Sequence, residues 1–490
     1  MKTLISASYI VAHDGVAHRI LRDGVLVWED DLILHVGSSY EGHVDRRISA
    51  EGKLVSPGLI NMHALASTSV TMLKVDGPAS ALSVGKAFAV DGKGSLNLTD
   101  QELEVVSRFA WASLLKGGGT TNVAITPMAM SRWESPRKEA EALVRIAGEI
   151  GARAYVSHQY RSAVKYVDSE GVLQYEWNED AGQEGLRHAL QFCDKNEGTY
   201  NDRVRTMLFP YQFETCSPSL LSATKKIAQT EGYPIHIHVA YSLGEFYESL
   251  RRYAKTPIQY LHDTGFLGPS VIATHALYTS YNPLSGFVRE DTTDIDLLAE
   301  SGTTVAHCPV IYSRGARGDG TLRSFAAYRR RGVNVTLGTD TFPMDMIREM
   351  RAAAIMGKSA DRDPTAVTAR DVFEAATTSA AKALGRADLG RLSPGAKADL
   401  LVVDLTKLHL GLVDDPIKTM VYMASQSDIE SVFVDGKEVV QEGRIPNLDE
   451  EDLACKANTI NQKQKHVFTA QHPLGIREQD LFPPSYKDWS

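Results

Sequence analysis

Cysteine is scarce in this chain and never paired. Only Cys193, Cys216, Cys308 and Cys455 occur in 490 residues, with no CxxC spacing among them. That argues against a disulfide framework and against a thiolate zinc knot, and it fits a reducing cytoplasm. Long apolar runs are missing too. No stretch reaches the roughly 20 apolar residues that span a bilayer, and the first residues, MKTLISASYIVAHDG, are broken by His13 and Asp14 before a signal-peptide core can form. A membrane is therefore not an expected partner. Nor is there a long basic run. The nearest is Arg329 to Arg331, in a chain whose 61 acidic and 52 basic residues leave a net charge of -9. Nucleic acid is an equally unexpected partner.

What is present is an ordinary globular composition, 43% hydrophobic and 23% charged, with enough apolar material for a large core. The first fifty residues read as short strands, Leu4 to Ala12, Gly24 to Glu29 and Leu32 to Gly37, separated by turn residues. From Leu54 the text changes to β-branched runs alternating with amphipathic segments. The expected strands are Leu54 to His63, Thr121 to Ile125, Ala152 to His158, Val204 to Pro210, Pro234 to Ala240, Val271 to His275, Thr303 to Val310 and Val333 to Asp340. Helical stretches lie between them, among them Gln101 to Leu115, Arg137 to Ile150, Leu220 to Thr230 and Leu322 to Arg331, several closed by a glycine. Repeated strand and helix units of this number predict an α/β fold, a closed parallel (β/α)8 TIM barrel. Strand-like text returns at Ala398 to Val403, Ile429 to Val434 and Glu438 to Val440. Short terminal sheets would be marginal alone, so the two ends are expected to pair into a small composite β-sandwich. The predicted domains are 1–56 with 388–446 for that β unit, 57–387 for the barrel, and 447–490 for an extension without clear period that packs on a neighbour.

In a parallel barrel the chemistry sits at the C-terminal strand ends. Here those ends carry Asn61 and His63, His158, His236 and His238, His275, His307 and Asp340. A lone buried histidine is more often hydrogen-bonded packing than a ligand, but imidazoles and a carboxylate gathered at one rim suit Zn, Fe, Co or Mn. His236 and His238 share a face and differ in depth by about 6.6 Å, so only His238 is expected to reach a metal, with His236 in support. Arg161 and Lys165 are candidates for meeting a polar substrate group, and Tyr160, Tyr211 and Tyr312 for lining an apolar pocket. The stretch from Ser313 to Gly320 is glycine-rich without a phosphate-binding framework and is expected at the edge of the site.

Several motifs, in order, resemble the amidohydrolase superfamily, in the branch of triazine hydrolases, cytosine and guanine deaminases and phenylurea hydrolases. They are Val55-Ser56-Pro57-Gly58-Leu59-Ile60-Asn61-Met62-His63, Lys116-Gly117-Gly118-Gly119-Thr120-Thr121, His236-Ile237-His238-Val239-Ala240, Ala306-His307-Cys308-Pro309 and Leu337-Gly338-Thr339-Asp340. Leu389-Gly390-Arg391-Leu392 through Asp404 then resembles the family's re-entry into its β unit. The resemblance implies a mononuclear divalent metal, zinc first, held by His63, His238 and Asp340, with His275 or Asn61 completing the set. It also implies a catalytic role for Asp340 as proton shuttle and for His275 beside the water. Two positions depart from the pattern: Leu65 stands where a second histidine of the His-x-His pair is expected, and Tyr241 where a glutamate is expected.

Tyr241 is a hydrogen-bond donor and a poor acid at neutral pH. It suits a carbonyl that needs polarisation, so the expected reaction is hydrolysis of a carbon-nitrogen bond in an amide, urea or carbamate. The other readings are an aminohydrolase or dechlorinating hydrolase of a nitrogen heterocycle, and a metal-free barrel without hydrolytic activity. Glu245 is read as a solvated helix position that would matter only if turned inward. The expected partner is a small-molecule substrate, and the resemblance also implies a homo-oligomer.

Overall fold

The computed structural model describes residues 1–67, 76–78, 98–126, 133, 136–168, 170, 172–286, 291–315, 323–472, 474–486 and 489. In chain order its strands are β1 (Lys2–His13), β2 (His18–Glu29), β3 (Leu32–Gly37), β4 (Arg46–Pro57), β5 (Leu59–Leu65), β6 (Gly119–Ile125), β7 (Arg153–Tyr160), β8 (Ala163–Val167), β9 (Leu173–Trp177), β10 (Val204–Pro210), β11 (Ile235–Val239), β12 (Val271–His275), β13 (Thr304–His307), β14 (Asn334–Leu337), β15 (Leu400–Asp404), β16 (Ile429–Val434) and β17 (Lys437–Val440). Residue 322 and residues 316–320, on which part of one expected helix and part of the glycine-rich edge fall, lie outside the described residues.

Eight strands run parallel in the order β5, β6, β7, β10, β11, β12, β13, β14. The last returns to the first: Ala64 bridges Asp340 in parallel, Leu65 N donates to Asp340 O at 2.7 Å and Asp340 N to His63 O at 2.9 Å. Closure leaves no unpaired edge in the barrel. It also explains Gly338, because a Cβ there would stand 2.7 Å from the His63 Cβ and 2.8 Å from its backbone nitrogen. The helices cover the outside with an apolar stripe turned inward. Arg137–Ile150, for example, buries Ala140, Leu143, Val144, Ile146 and Ala147 and stops at Gly151 with φ 86°. Among the described residues no helix is long and apolar enough to cross a membrane.

The chain ends build a seven-stranded sheet in the order β17, β16, β15, β4, β1, β2, β3. It folds back on itself. Trp28 of β2 meets Phe433 of β16, four strands away, edge to face at 5.4 Å, and donates through Nε1 to Gly436 O at 3.3 Å. Between the two layers lie Ile5, Ile10, Leu26, Val55, Leu392, Leu400 and Phe433.

The run Leu54 to His63, expected as one strand, is two. Leu54 to Pro57 pairs with Leu400 to Val403 in the outer sheet, and the barrel strand starts only at Leu59. Pro57 has no N–H to continue a ladder, and Gly58 turns where a Cβ would lie 2.0 Å from Thr120 Oγ1. The C-terminal segment, expected to lack a clear period, is in large part helical. Glu450–Ala470 is a 21-residue helix that buries Leu453, Ala457, Ile460 and Phe468. It lies on the Asp100–Lys116 helix of this same chain, with Ile460 against Leu98, Leu103 and Val106 and Lys463 on Glu102 at 2.7 Å.

Candidate metal centre

The polar strand ends are grouped on one arc of the barrel rim, β11, β12, β13, β14 and β5, which are consecutive neighbours. One nitrogen each from His63, His238 and His275 lies within 4.8 Å of the other two. Asp340 Oδ2 stands 3.7 Å from His63 Nε2 and 3.6 Å from His275 Nε2. A tetrahedral ion with donors at about 2.1 Å has donor-to-donor edges of about 3.4 Å, and the two separations from Asp340 come close to that.

The surroundings fix which nitrogen each ring presents. His236 Nε2 lies 3.2 Å from His63 Nδ1 and 2.8 Å from Thr274 Oγ1. Burial, then the charges of His63 and His238, holds His236 well below the ordinary imidazole range, so it is neutral, and the tautomer protonated at Nδ1 accepts at Nε2. His63 accordingly donates from Nδ1 and turns Nε2 to the site, where that atom is buried without a hydrogen-bond partner. His238 donates from Nδ1 to Tyr211 O at 2.6 Å, so the nitrogen it offers the site is Nε2. Burial, followed by the charges of His63 and His238, likewise pushes His275 well below its ordinary value. A neutral imidazole is the ligating form.

The backbone is bent at the same rim. Ala240, His275 and Asp340 sit at φ 50°, 78° and 56°, in the left-handed region that side chains avoid. Each such residue costs roughly 1–3 kcal/mol and persists where its surroundings hold it.

Other strand-end residues fall outside this group. Asn61, a possible ligand by sequence, is occupied: its amide donates to Thr339 Oγ1 at 2.8 Å, and its oxygen accepts from Thr339 N at 3.1 Å and His63 N at 3.2 Å. It staples β5 to the turn that carries Asp340. His158 packs against Phe192 at 5.9 Å, where burial lowers it to about 4. His307 Nε2 faces Ser324 Oγ at 3.4 Å. Tyr160 is buried, with its hydroxyl 3.0 Å from Thr224, and so is packing, whereas Tyr312 lies 5.2 Å from the His275 ring.

Tyr241 flanks the histidines, its ring 6.3 Å from those of both His238 and His275. Its hydroxyl donates to Glu214 Oε1 at 2.6 Å, and Lys165 Nζ donates to that oxygen at 2.8 Å and to the tyrosine oxygen at 2.7 Å. Burial, then the charges of Glu214 and Glu245, pushes the phenol well above its ordinary value, so it stays protonated. Glu245 is not solvated: it is 1% exposed, accepts from Tyr241 N at 2.8 Å and is raised well above the usual carboxyl range by burial and then by Glu214. Glu214, which sequence reasoning missed, follows β10 by four residues. That place at a strand's C-terminal end was the only signal of it.

A closed parallel barrel with histidines and an aspartate converging at its C-terminal rim defines a metal-dependent hydrolase of the barrel class. The chain belongs to the amidohydrolase family, whose profile matches residues 54–439. It hydrolyses carbon-nitrogen bonds other than peptide bonds. It is 32% identical to a 5'-deoxyadenosine deaminase of Methanosarcina mazei over 93% of this chain and 96% of the relative. In fold it resembles an adenosine deaminase from Xanthomonas campestris with bound zinc, at a TM-score of 0.78 and 22% identity, covering 95% of this chain and 98% of the other. It also resembles an atrazine chlorohydrolase from Arthrobacter aurescens complexed with zinc, at a TM-score of 0.74 and 21% identity, covering 94% and 100%.

Proposed function

We propose that this chain hydrolyses an exocyclic carbon-nitrogen bond on a nitrogen heterocycle, at a centre where His63, His238 and Asp340 hold one divalent metal ion, zinc first, beside His275. The observation that carries this reading is the convergence of three buried imidazoles within 4.8 Å of one another, with a carboxylate oxygen 3.6–3.7 Å from two of them. The full-length likeness to a 5'-deoxyadenosine deaminase supports the heterocycle.

When bound, the ion supplies the Lewis acidity that lets water ionise near neutral pH. Asp340 accepts a proton from the attacking water and returns it to the leaving nitrogen, so the ring carbon gains oxygen and the amine departs as ammonia. His275, kept neutral by burial, donates N–H to the oxygen that gains charge. His236 and Asn61 hold His63 and the Asp340 turn in place. Lys165, Glu214 and Tyr241 close the flank of the site, where the tyrosine stays protonated and donates to Glu214.

One observation favours a second reading. Tyr241 replaces the glutamate with which ring deaminases protonate a ring nitrogen, and an amide, urea or carbamate carbonyl needs no such step. The test is direct: zinc-loaded protein is incubated with 5'-deoxyadenosine, an amino-substituted triazine and a phenylurea, and ammonia and products are followed by mass spectrometry. Ammonia from either heterocycle is the expected result. Turnover of the urea alone would move the substrate to the second class, and turnover of none with metal bound would overturn both readings.

A further inference from the structure

We infer that Cys308 is a thiolate ligand of the metal centre proposed above, supplying the donor that Leu65 does not. The inference rests on that reading and adds to it. Two donor triads overlap at the rim. One is His63, His238 and His275; the other is His63, Cys308 and Asp340, with one ligand atom from each likewise within 4.8 Å of the others. They share His63, whose Nε2 is buried with no hydrogen-bond partner. A single ion at the junction is therefore offered His63 from both triads, His238 from one and Asp340 with Cys308 from the other.

The position follows from the strand order. Leu65 reaches the rim from β5, on one side of Asp340, and has no atom that can ligate. Cys308 follows the last residue of β13, on the other side of Asp340, and is fully buried. The turn that carries it is held down, since Gly338 N donates to His307 O at 3.0 Å. An imidazole missing from one flank of the aspartate is thus met by a sulfur on the opposite flank, and Asn61, the other residue near enough in sequence, is spent on Thr339 and His63. With Cys308 ligating, His275 is left to orient the water.

The chemistry is competent. Zinc held by histidine and cysteine activates water in nucleobase deaminases of other folds. On metal binding the Cys308 S–H bond breaks, its electron pair goes to the ion and the proton leaves to solvent. Sulfur ligation also shifts preference toward Zn and away from Mn and Mg. The remaining cysteines act as internal controls: Cys193 and Cys216 are buried elsewhere in the barrel wall and Cys455 is exposed on the C-terminal helix.

The experiment is cobalt(II) substitution of the full chain, read by absorption, beside Cys308→Ser and His63→Ala. The parent is expected to show visible bands of low-coordinate cobalt together with a near-ultraviolet band from thiolate to cobalt. Cys308→Ser should lose the near-ultraviolet band and bind cobalt about 100-fold more weakly or worse. Visible bands in the parent without the thiolate band, or a thiolate band that survives Cys308→Ser, would overturn the assignment while leaving the metal reading intact. Failure of the parent to take up cobalt, or uptake unchanged in His63→Ala, would overturn the metal reading and the inference with it. X-ray absorption of the zinc-loaded parent needs no variant. It should show one sulfur at about 2.3 Å, and a shell of nitrogen and oxygen alone would sink the proposal even if Cys308→Ser did not fold.

Discussion

The two ends of the barrel are built on opposite principles. At the C-terminal mouth, His63 Nε2 and His275 Nδ1 are buried without hydrogen-bond partners, and His275 and Asp340 are held in left-handed backbone. At the N-terminal floor the largest buried charge is answered. Arg153, the first residue of β7 and fully buried, donates from Nε to Asp399 Oδ2 at 2.8 Å and from a second nitrogen to Asp399 Oδ1 at 3.1 Å, and it also binds Asp435. Asp435 N donates back to Asp399 Oδ1 at 2.8 Å. Asp399 and Asp435 belong to the outer sheet, so this network fastens sheet to barrel at the end away from the chemistry. The mouth keeps ligand atoms turned into the candidate site, whereas Arg153 on the floor spends its charge on two carboxylates of the protein itself. Several imidazole nitrogens left unbonded together with left-handed backbone at one rim are what a site under selection for function looks like.

The sharpest way to break this contrast is Asp340→Asn. Asparagine tolerates left-handed backbone, so the turn at φ 56° is kept while the carboxylate charge proposed to shuttle protons and hold the metal is lost. Ammonia release should fall by about 10³-fold or more, with the melting temperature unchanged or raised. Activity within tenfold of the parent would remove Asp340 from the chemistry. A large fall in stability instead would mean that the mouth is structural after all.

The converse variant is Asp399→Ala, which leaves Arg153 buried with half its partners gone. A loss of about 3–5 kcal/mol is expected in denaturant unfolding, with metal content per folded molecule unchanged. Replacing both residues by apolar ones, Arg153→Met with Asp399→Leu, should recover much of it, because the penalty comes from the orphaned charge. If the double variant is as unstable as the single, geometry rather than charge matching secures the joint.

How much of this was legible beforehand depended on how local the signal was. The barrel strands were readable because each is a β-branched run bounded by turn residues, and β10 and β12 begin and end where the runs do. The break at Gly58 was missed although Pro57-Gly58 punctuates the run, because its first half faces a partner, β15, more than three hundred residues away. The C-terminal helix does have a period: Leu453, Ala457, Ile460, Gln464 and Phe468 face inward. An alanine and a glutamine on that face dilute it below recognition. His63, His238, His275 and Asp340 could be named because each lies at or within three residues of the C-terminal end of a barrel strand. Glu214 and Cys308 could not, and Glu245 was read as solvated, because what matters about them is which side chains from other strands they meet.

The joint between sheet and barrel has a member that resembles the mouth, and it gives the finest test of the contrast. His18, at the start of β2, lies between the Phe373 ring at 5.2 Å and Thr377 Oγ1, 3.1 Å from its Nε2, while its Nδ1 is buried without a partner. Burial, with the charges of His13, Arg391 and Arg370 adding to it, lowers this imidazole to about 3. The folded chain therefore keeps His18 neutral, whereas the unfolded chain takes up its proton near pH 6.5. Since the unfolded state binds the extra proton, stability from this residue is fully present above about pH 6.5 and is lost progressively as pH falls toward 3, with a slope of at most about 1.4 kcal/mol per pH unit. His18→Gln, which can still bond Thr377, should flatten that slope between pH 7 and 5 when unfolding free energy is measured in urea, with little change at pH 8. Parallel curves for parent and variant would mean that the joint opens to water at this corner, and that a buried group without its full set of partners is not peculiar to the mouth.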